Sequence, residues 1–220
     1  MTETTCEKLF NSIPSYLVNL FYDPVYPWEV IPHINSYIKE IYDACLQNGF
    51  KELSQGLLVG KNVTLSPLAT IIAPAIIGHD TEIRPGAYLR GNVITGTGCV
   101  IGNSSEIKNT VIFDYVQIPH FNYVGDSVIG NYAHMGAGAV CSNLKADKST
   151  VIVKTNPPLN SGLIKFGAIL ADHAEVGCGC VLNPGTVIGQ NSRIYPLTSV
   201  RGVVPKNSIM KSADKIVPIE

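Results

Sequence analysis

The sequence predicts a mainly β protein: a left-handed parallel β-helix of hexapeptide repeats with a small N-terminal helical cap. Three observations carry that reading: a strict six-residue period, an aliphatic residue opening nearly every block, and a small residue in each fifth place. From Val59 the chain divides into VGKNVT, LSPLAT, IIAPAI, IGHDTE, IRPGAY, LRGNVI, TGTGCV and IGNSSE. Only Thr95 breaks the aliphatic first position, and the fifth runs Val63, Ala69, Ala75, Thr81, Ala87, Val93, Cys99, Ser105. The pattern resumes from Leu170 to Ser199 as LADHAE, VGCGCV, LNPGTV, IGQNSR and IYPLTS.

Each block supplies one short parallel strand, and three strands close a triangular coil of about 18 residues. The first residue points into a narrow interior and stacks on its equivalents in neighbouring coils. The fifth is expected near a corner, where Gly, Asn and Asp beside it suit tight turns. A helix needs spacings of three and four, which this array lacks. A β-sandwich or a right-handed β-helix would show looser periods.

Residues 1–55 follow another rule. Val30, Ile31, Ile34, Tyr37, Ile38, Ile41, Tyr42, Cys45 and Leu46 recur at three and four, which predicts one amphipathic helix. Pro32 suits its first turn and Gly49 its end. Leu17 to Tyr22 predicts a second short helix. These helices are expected to cap the open N-terminal end of the prism, whose strand edge would otherwise invite aggregation. Residues 56–210 form the expected β-helix and 211–220 a tail.

The six-residue register slips twice. Ile107 and Ile112 are five apart, as are Val124 and Ile129, with Ile118 between them. Such slips require bulges, which commonly lie beside functional sites. Residues 143–166 are too long for a corner and are expected to leave the prism as an excursion, a usual place for binding groups.

Bulk properties narrow the function. The 220 residues are 45% apolar and 15% charged, with a net charge of −1, so nothing attracts nucleic acid or an anionic membrane at long range. Neither is an expected partner. No apolar run approaches the ~20 residues of a membrane span, and the polar start does not read as a signal peptide. Six cysteines without CxxC spacing suit a reducing, cytoplasmic setting with thiols as small interior groups.

Chemistry concentrates near the slips. His120, in IPHFNYVGD, has a side chain whose ordinary pKa near 6.5 suits a general base; an exposed corner residue is the bland reading. Tyr123 follows three residues on, Asn143 opens the excursion, Glu106 and Lys108 lie in the preceding coil, and Arg84 sits in IRPGAY. A cation and a carboxylate around one histidine would suit an anionic acceptor bearing an amine, although solvation alone explains each charge taken singly.

The segment from Ile101 to Lys145 resembles the acetyltransferase domain of the bifunctional bacterial enzymes that acetylate and then uridylylate glucosamine 1-phosphate. Their GHxxYxGD, IGAG and CN elements are similar to PHFNYVGD, MGAG and CSN here. The archaeal sugar-phosphate nucleotidylyltransferases with an acetyltransferase half are closer still, through CSNLK, SGLIKFGAI and NPGTV. Together the likeness covers about residues 59 to 205.

That resemblance implies acetyl transfer from acetyl-CoA to the amine of an amino sugar phosphate, with no metal. It casts His120 as general base and Glu106 as its orienting or acid–base partner. Arg84, Lys108 and Tyr123 would hold the sugar phosphate and Asn143 the sugar, with Lys148 assisting the phosphate. Backbone at Ala137 and Cys178 would line the coenzyme A groove, and Arg201 would meet its phosphates. A homotrimer with sites between prisms is implied. The sequence departs from the family at His134, where an asparagine precedes IGAG, and at Pro119, where a small residue precedes the histidine. Both change the acceptor pocket, with His134 at its wall. No Gly-rich nucleotide loop followed by Arg and Lys precedes the repeats, so uridylyl transfer is not expected.

Two other classes compete. A trimeric scaffold or regulatory module would bind a nucleotide sugar or a partner enzyme without turnover. A zinc hydro-lyase would need three converging histidines, two close in sequence; His79, His120, His134 and His173 lie in different blocks.

Overall fold

The computed structural model describes residues 3–219. Short parallel strands wind into a three-faced solenoid, joined in a 14-stranded sheet that covers two faces and a 9-stranded sheet that forms the third. This is the left-handed parallel β-helix that the repeat predicts. The regular coils are 18 residues long, with Glu82 opposite Val100 and Tyr88 opposite Glu106.

First-position residues fill the interior as expected: Ile77, Ile83, Leu89, Ile101 and Ile118 are all but sealed from solvent. The fifth-position residues are interior too rather than merely near a corner. Ala75, Ala87, Val93 and Cys99 belong to the same core. Where that position carries a hydroxyl, burial is matched by a hydrogen bond to the next coil: Thr81 donates to the Gly96 carbonyl (2.9 Å) and Ser192 to that of Pro205 (2.6 Å). The turn falls on the fourth position, where Asn62, Asp80 and Asn92 adopt positive φ. Asn and Asp tolerate that region better than other residues with a Cβ.

The slips are two coils of 17 residues: Gln117 lies opposite Val100, and His134 opposite Gln117. One corner is lost as a break. Glu106–Ile112 and Tyr123–Ile129 each run on as a seven-residue strand across it, bending at Asn109 and Asp126, both with positive φ.

The N-terminal segment differs from expectation in form and place. The single predicted helix is a 3₁₀ helix, Pro27–His33, then Ile34–Glu40 and Tyr42–Gln47, interrupted at Ile41. Glu29 fixes its start by accepting the Val25 and Tyr26 N–H groups (2.8 and 2.9 Å). Gly49 ends the run at φ 88°, as its position suggested. The second predicted helix is only the 3₁₀ turn Ser15–Leu17.

These pieces do not cap the prism's end. They lie along one flank, because that flank's outward residues are apolar on successive coils: Leu58, Ile76, Ile94, Val111, Val128, Ile169 and Val187 share one buried cluster with Leu17, Trp28, Val30, Ile34 and Ile38. The segment runs against the coil order. The Leu9 carbonyl meets the Asp172 N–H (3.1 Å), Tyr16 bonds Asp114 (3.1 Å) and Asn35 bonds Asn92 (2.7 Å). End-capping falls instead to Lys51–Ser54, antiparallel to the first coil strand Leu57–Val59. Lys215–Pro218, in the expected tail, closes the other end by pairing antiparallel with Ser208–Ser212. The excursion forms a two-stranded hairpin, Ile152–Val153 with Leu159–Asn160. It returns to the covered flank, where Phe166 meets Trp28 at 5.6 Å between ring centroids. Of the cysteines expected inside, Cys178 is exposed and Cys6 half-buried.

Candidate acyl-transfer site

His120 ends the strand Gln117–His120, at the corner between the 9-stranded sheet and the open face that begins with Tyr123. It is exposed, and Pro119 before it is buried. The corner is built by Asn122, whose amide is almost wholly buried. Its Oδ1 accepts the His120 N–H (3.0 Å), and its Nδ2 donates to the carbonyls of Gly136 (2.8 Å) and Ala139 (3.1 Å) in the following coil. One side chain therefore ties the turn bearing the imidazole to the turn bearing Ala137.

Those turns stack in a column. Gly138 N–H donates to the His120 carbonyl, Gly179 N–H to that of Ala137, and Leu197 N–H to that of Cys178 (3.0, 2.8 and 2.9 Å). His120, Ala137 and Cys178 thus occupy one corner on successive levels, about 4.8 Å apart. Three residues separated by gaps of 17 and 41 positions in the chain fall in line because the excursion is spliced out of the coil.

The open face beside this corner carries the polar cluster. Tyr123 lies opposite Glu106, and Lys108 opposite Gly125. A Cβ on Gly125 would sit 2.6 Å from the Tyr123 hydroxyl and 2.7 Å from Asn143 Nδ2, so glycine leaves the room in which those two groups meet. Asp126, nearly buried, gathers the far edge: Lys108 approaches it at 3.5 Å, Asn109 donates to Oδ1 (2.8 Å) and Asn143 donates to Oδ2. Burial, with help from Asp126 and Glu106, holds the Tyr123 phenol above its ordinary pKa, so it enters neutral-pH chemistry as a hydroxyl. Glu106 pairs with Arg90 at 2.5 Å. Arg90, Asn122 and Asp126 are the residues sequence reasoning passed over. Arg90 stands 18 positions, one regular coil, before Lys108, a signal legible once the coil length is known, whereas Asp126 falls one residue beyond Gly125, the partner of Lys108 in a 17-residue coil.

The remaining candidates lie elsewhere. Arg84 is on the neighbouring face, two coils before His120, and pairs with Glu82 at 3.1 Å. His134 is on that same face with Nδ1 3.2 Å from Glu175. Lys148 is exposed on the excursion. Arg201 follows the strand Ser199–Val200 and donates to Asn183 at 3.3 Å. Among the described residues no group of three or more His, Cys, Asp or Glu side chains converges as metal ligands would, and no helix is long and apolar enough to cross a membrane.

The chain is 30% identical over 216 residues to the bifunctional protein GlmU of Methanococcus vannielii, covering 96% of this chain and 52% of that protein. It resembles the hexapeptide-repeat acetyltransferase domain of GlmU. The chain spans about half the length of that relative. The bifunctional sugar-1-phosphate nucleotidylyltransferase/acetyltransferase of Sulfurisphaera tokodaii is 40% identical over 113 residues, 51% of this chain and 28% of that one. A family model described as the GMPPB C-terminal domain matches residues 71–165, which hold His120 and the whole polar cluster. Among solved structures, a mutant of AntD, an N-acyltransferase from Bacillus cereus, in complex with dTDP and coenzyme A, aligns with a TM-score of 0.45 at 20% identity, covering 78% of this chain and 91% of that one.

Proposed function

We propose that this chain is a coenzyme A-dependent N-acetyltransferase acting on an amino sugar phosphate of the glucosamine 1-phosphate kind. The observation that carries the reading is the column of His120, Ala137 and Cys178 beside the Tyr123–Lys108–Asn143 cluster. The acceptor lies on the open face, its phosphate toward Lys108 and Arg90 and its hydroxyls toward Tyr123 and Asn143. Acetyl-CoA lies along the corner column, with Arg201 further along the coil toward its phosphates.

His120 takes a proton from the acceptor ammonium, and the freed amine attacks the thioester carbonyl. The carbon–sulfur bond breaks as the amide carbon–nitrogen bond forms, and coenzyme A leaves as the thiolate, which takes up the second proton that the attacking nitrogen sheds in becoming the amide. The Ala137 N–H has no hydrogen-bond partner among the described residues, so it is available to the carbonyl oxygen as charge develops there. Holding both substrates at one corner supplies the proximity contribution. The imidazole itself has no hydrogen-bond partner among the described residues. A homotrimer in which a neighbouring prism walls the site would supply the missing partner, and light scattering checks that assembly.

The test is thiol release from acetyl-CoA with glucosamine 1-phosphate as acceptor. His120→Ala should lower the rate about 10²–10⁴-fold with an unchanged melting temperature; an equal rate overturns the role given to His120. The unoriented imidazole also favours a second reading, a non-catalytic scaffold or regulatory module. Titration with acetyl-CoA separates the two, because a scaffold of that kind releases no binding heat.

A further inference from the structure

A cavity lies on the covered flank, where the N-terminal segment crosses the first coils. It holds about 550 Å³ between Tyr16, Asn48 and Phe50 on the segment and Ile76, His79, Thr97 and Asp114 on the solenoid. That volume falls within the range of small-molecule sites, roughly 300–1,000 Å³.

Its polar groups are held in defined states. His79 Nδ1 accepts the Lys61 N–H at 2.7 Å, so that nitrogen is the unprotonated one and Nε2 carries the hydrogen. The ring lies against Phe50 with centroids 4.6 Å apart. Asp114 Oδ1 accepts the Tyr16 hydroxyl (3.1 Å) and the Thr97 N–H (2.8 Å), while Oδ2 has no partner among the described residues. Asn48 donates through Nδ2 to the Ala44 carbonyl (2.8 Å), which leaves Oδ1 as a further acceptor. The cavity thus offers one ring N–H donor and two acceptors, one of them a carboxylate oxygen, against apolar walls from Ile41, Ile76 and Phe50. No Lys or Arg lines it; Lys61, whose side-chain end packs against Gly49 between the lining Asn48 and Phe50, stands at its rim, so a phosphate inside would face the Asp114 carboxylate.

We propose that this cavity binds a phosphate-free nucleobase or nucleoside, one presenting adjacent N–H donors and a ring or carbonyl acceptor. Such a ligand matches the two acceptors and the donor, and its planar body fits between the aromatic and aliphatic walls. The site is independent of acyl transfer: it sits on the flank that the corner column does not touch, and its ligand need not meet coenzyme A.

The experiment is a thermal melt of the full chain with guanosine, cytidine, adenosine and guanosine 5′-monophosphate as probes. Guanosine, whose edge sets two adjacent N–H donors beside a carbonyl acceptor, should raise the melting temperature by about 3 °C at ten times Kd, and cytidine and adenosine, each with a single amino donor on that edge, should raise it less. The monophosphate should be weaker than guanosine. Asp114→Asn should remove the shift. Because Asp114 also anchors Tyr16, Ala44→Phe serves as a second variant: it narrows the mouth from an exposed helix position and should remove the shift with the unliganded melt unchanged. No shift with any nucleoside, or a shift that survives both variants, overturns the proposal.

Discussion

The covered flank and the open face are built from the same hexad, and they differ only in the residues that point outward. At the outward place just before the first interior position, the flank carries Ile76, Ile94, Val111, Val128, Ile169 and Val187, and the open face carries Tyr88, Glu106, Tyr123, Val140, Val181 and Ser199. The interior specifies the solenoid and is indifferent to this choice. The outward set decides whether a face is buried by the protein's own chain or left to meet a substrate. Fold and function are therefore written in alternate positions of one repeat.

The sharpest way to break that comparison is to put the same charge at the same hexad position on each face. Ile94→Asp buries a carboxylate without a partner beneath the N-terminal segment and should cost about 4 kcal/mol or more, read as a lowered denaturant midpoint. Tyr88→Asp, at the matching place on the open face and opposite Glu106, should cost no more than about 1 kcal/mol. Equal costs would mean the segment is not a fixed part of the fold.

A middle-sized effect is expected at Asp126, where the open face depends on a buried carboxylate. Asp126→Ala strands the Asn109 and Asn143 amides and frees Lys108, and should cost about 1–3 kcal/mol. It should also raise KM for the amino sugar more than it lowers kcat, since it loosens the acceptor wall and leaves His120 in place. Steady-state kinetics on the variant checks that split.

The smallest effect sits at the flank's anchor. Asp172 is buried, and that burial raises its pKa although Asn11 and Asn131 donate to it. The folded state therefore binds the proton more tightly than the unfolded chain. Its contribution is fullest below the ordinary carboxylate pKa and is lost as pH rises through the folded value. Stability measured from pH 3 upward should decline more in the native chain than in Asp172→Asn, after normalising to the acid limit.

The regularity of the repeat made the solenoid legible, because a six-residue period with aliphatic first positions has few other solutions. The two register slips correctly marked irregular coils, and His120 was singled out between them. Helix continuity was not legible: the three–four spacing from Val30 to Leu46 persists across a break at Ile41, since the same spacing serves two short helices laid on one surface. Nor was the segment's location, because an apolar stripe says that a helix is buried and not which surface buries it. The outward stripe from Leu58 to Val187 held that information, alternating with the interior residues. Arg90, Asn122 and Asp126 escaped notice because their roles come from neighbours 16 to 18 residues away, which only the closed coil brings together.

A stack of coils is ordinarily a chain of nearest-neighbour contacts, able to fray from either end one level at a time. Here a single strap crosses from the level of Asp172 back to that of Asn92, bonding coils that never touch one another. Levels so strapped share one fate: the loss of any one exposes the strap, and with it the rest. Deleting the strap should replace a single sharp melt with a gradual, end-first one, so the first fifty residues set how cooperatively this protein unfolds.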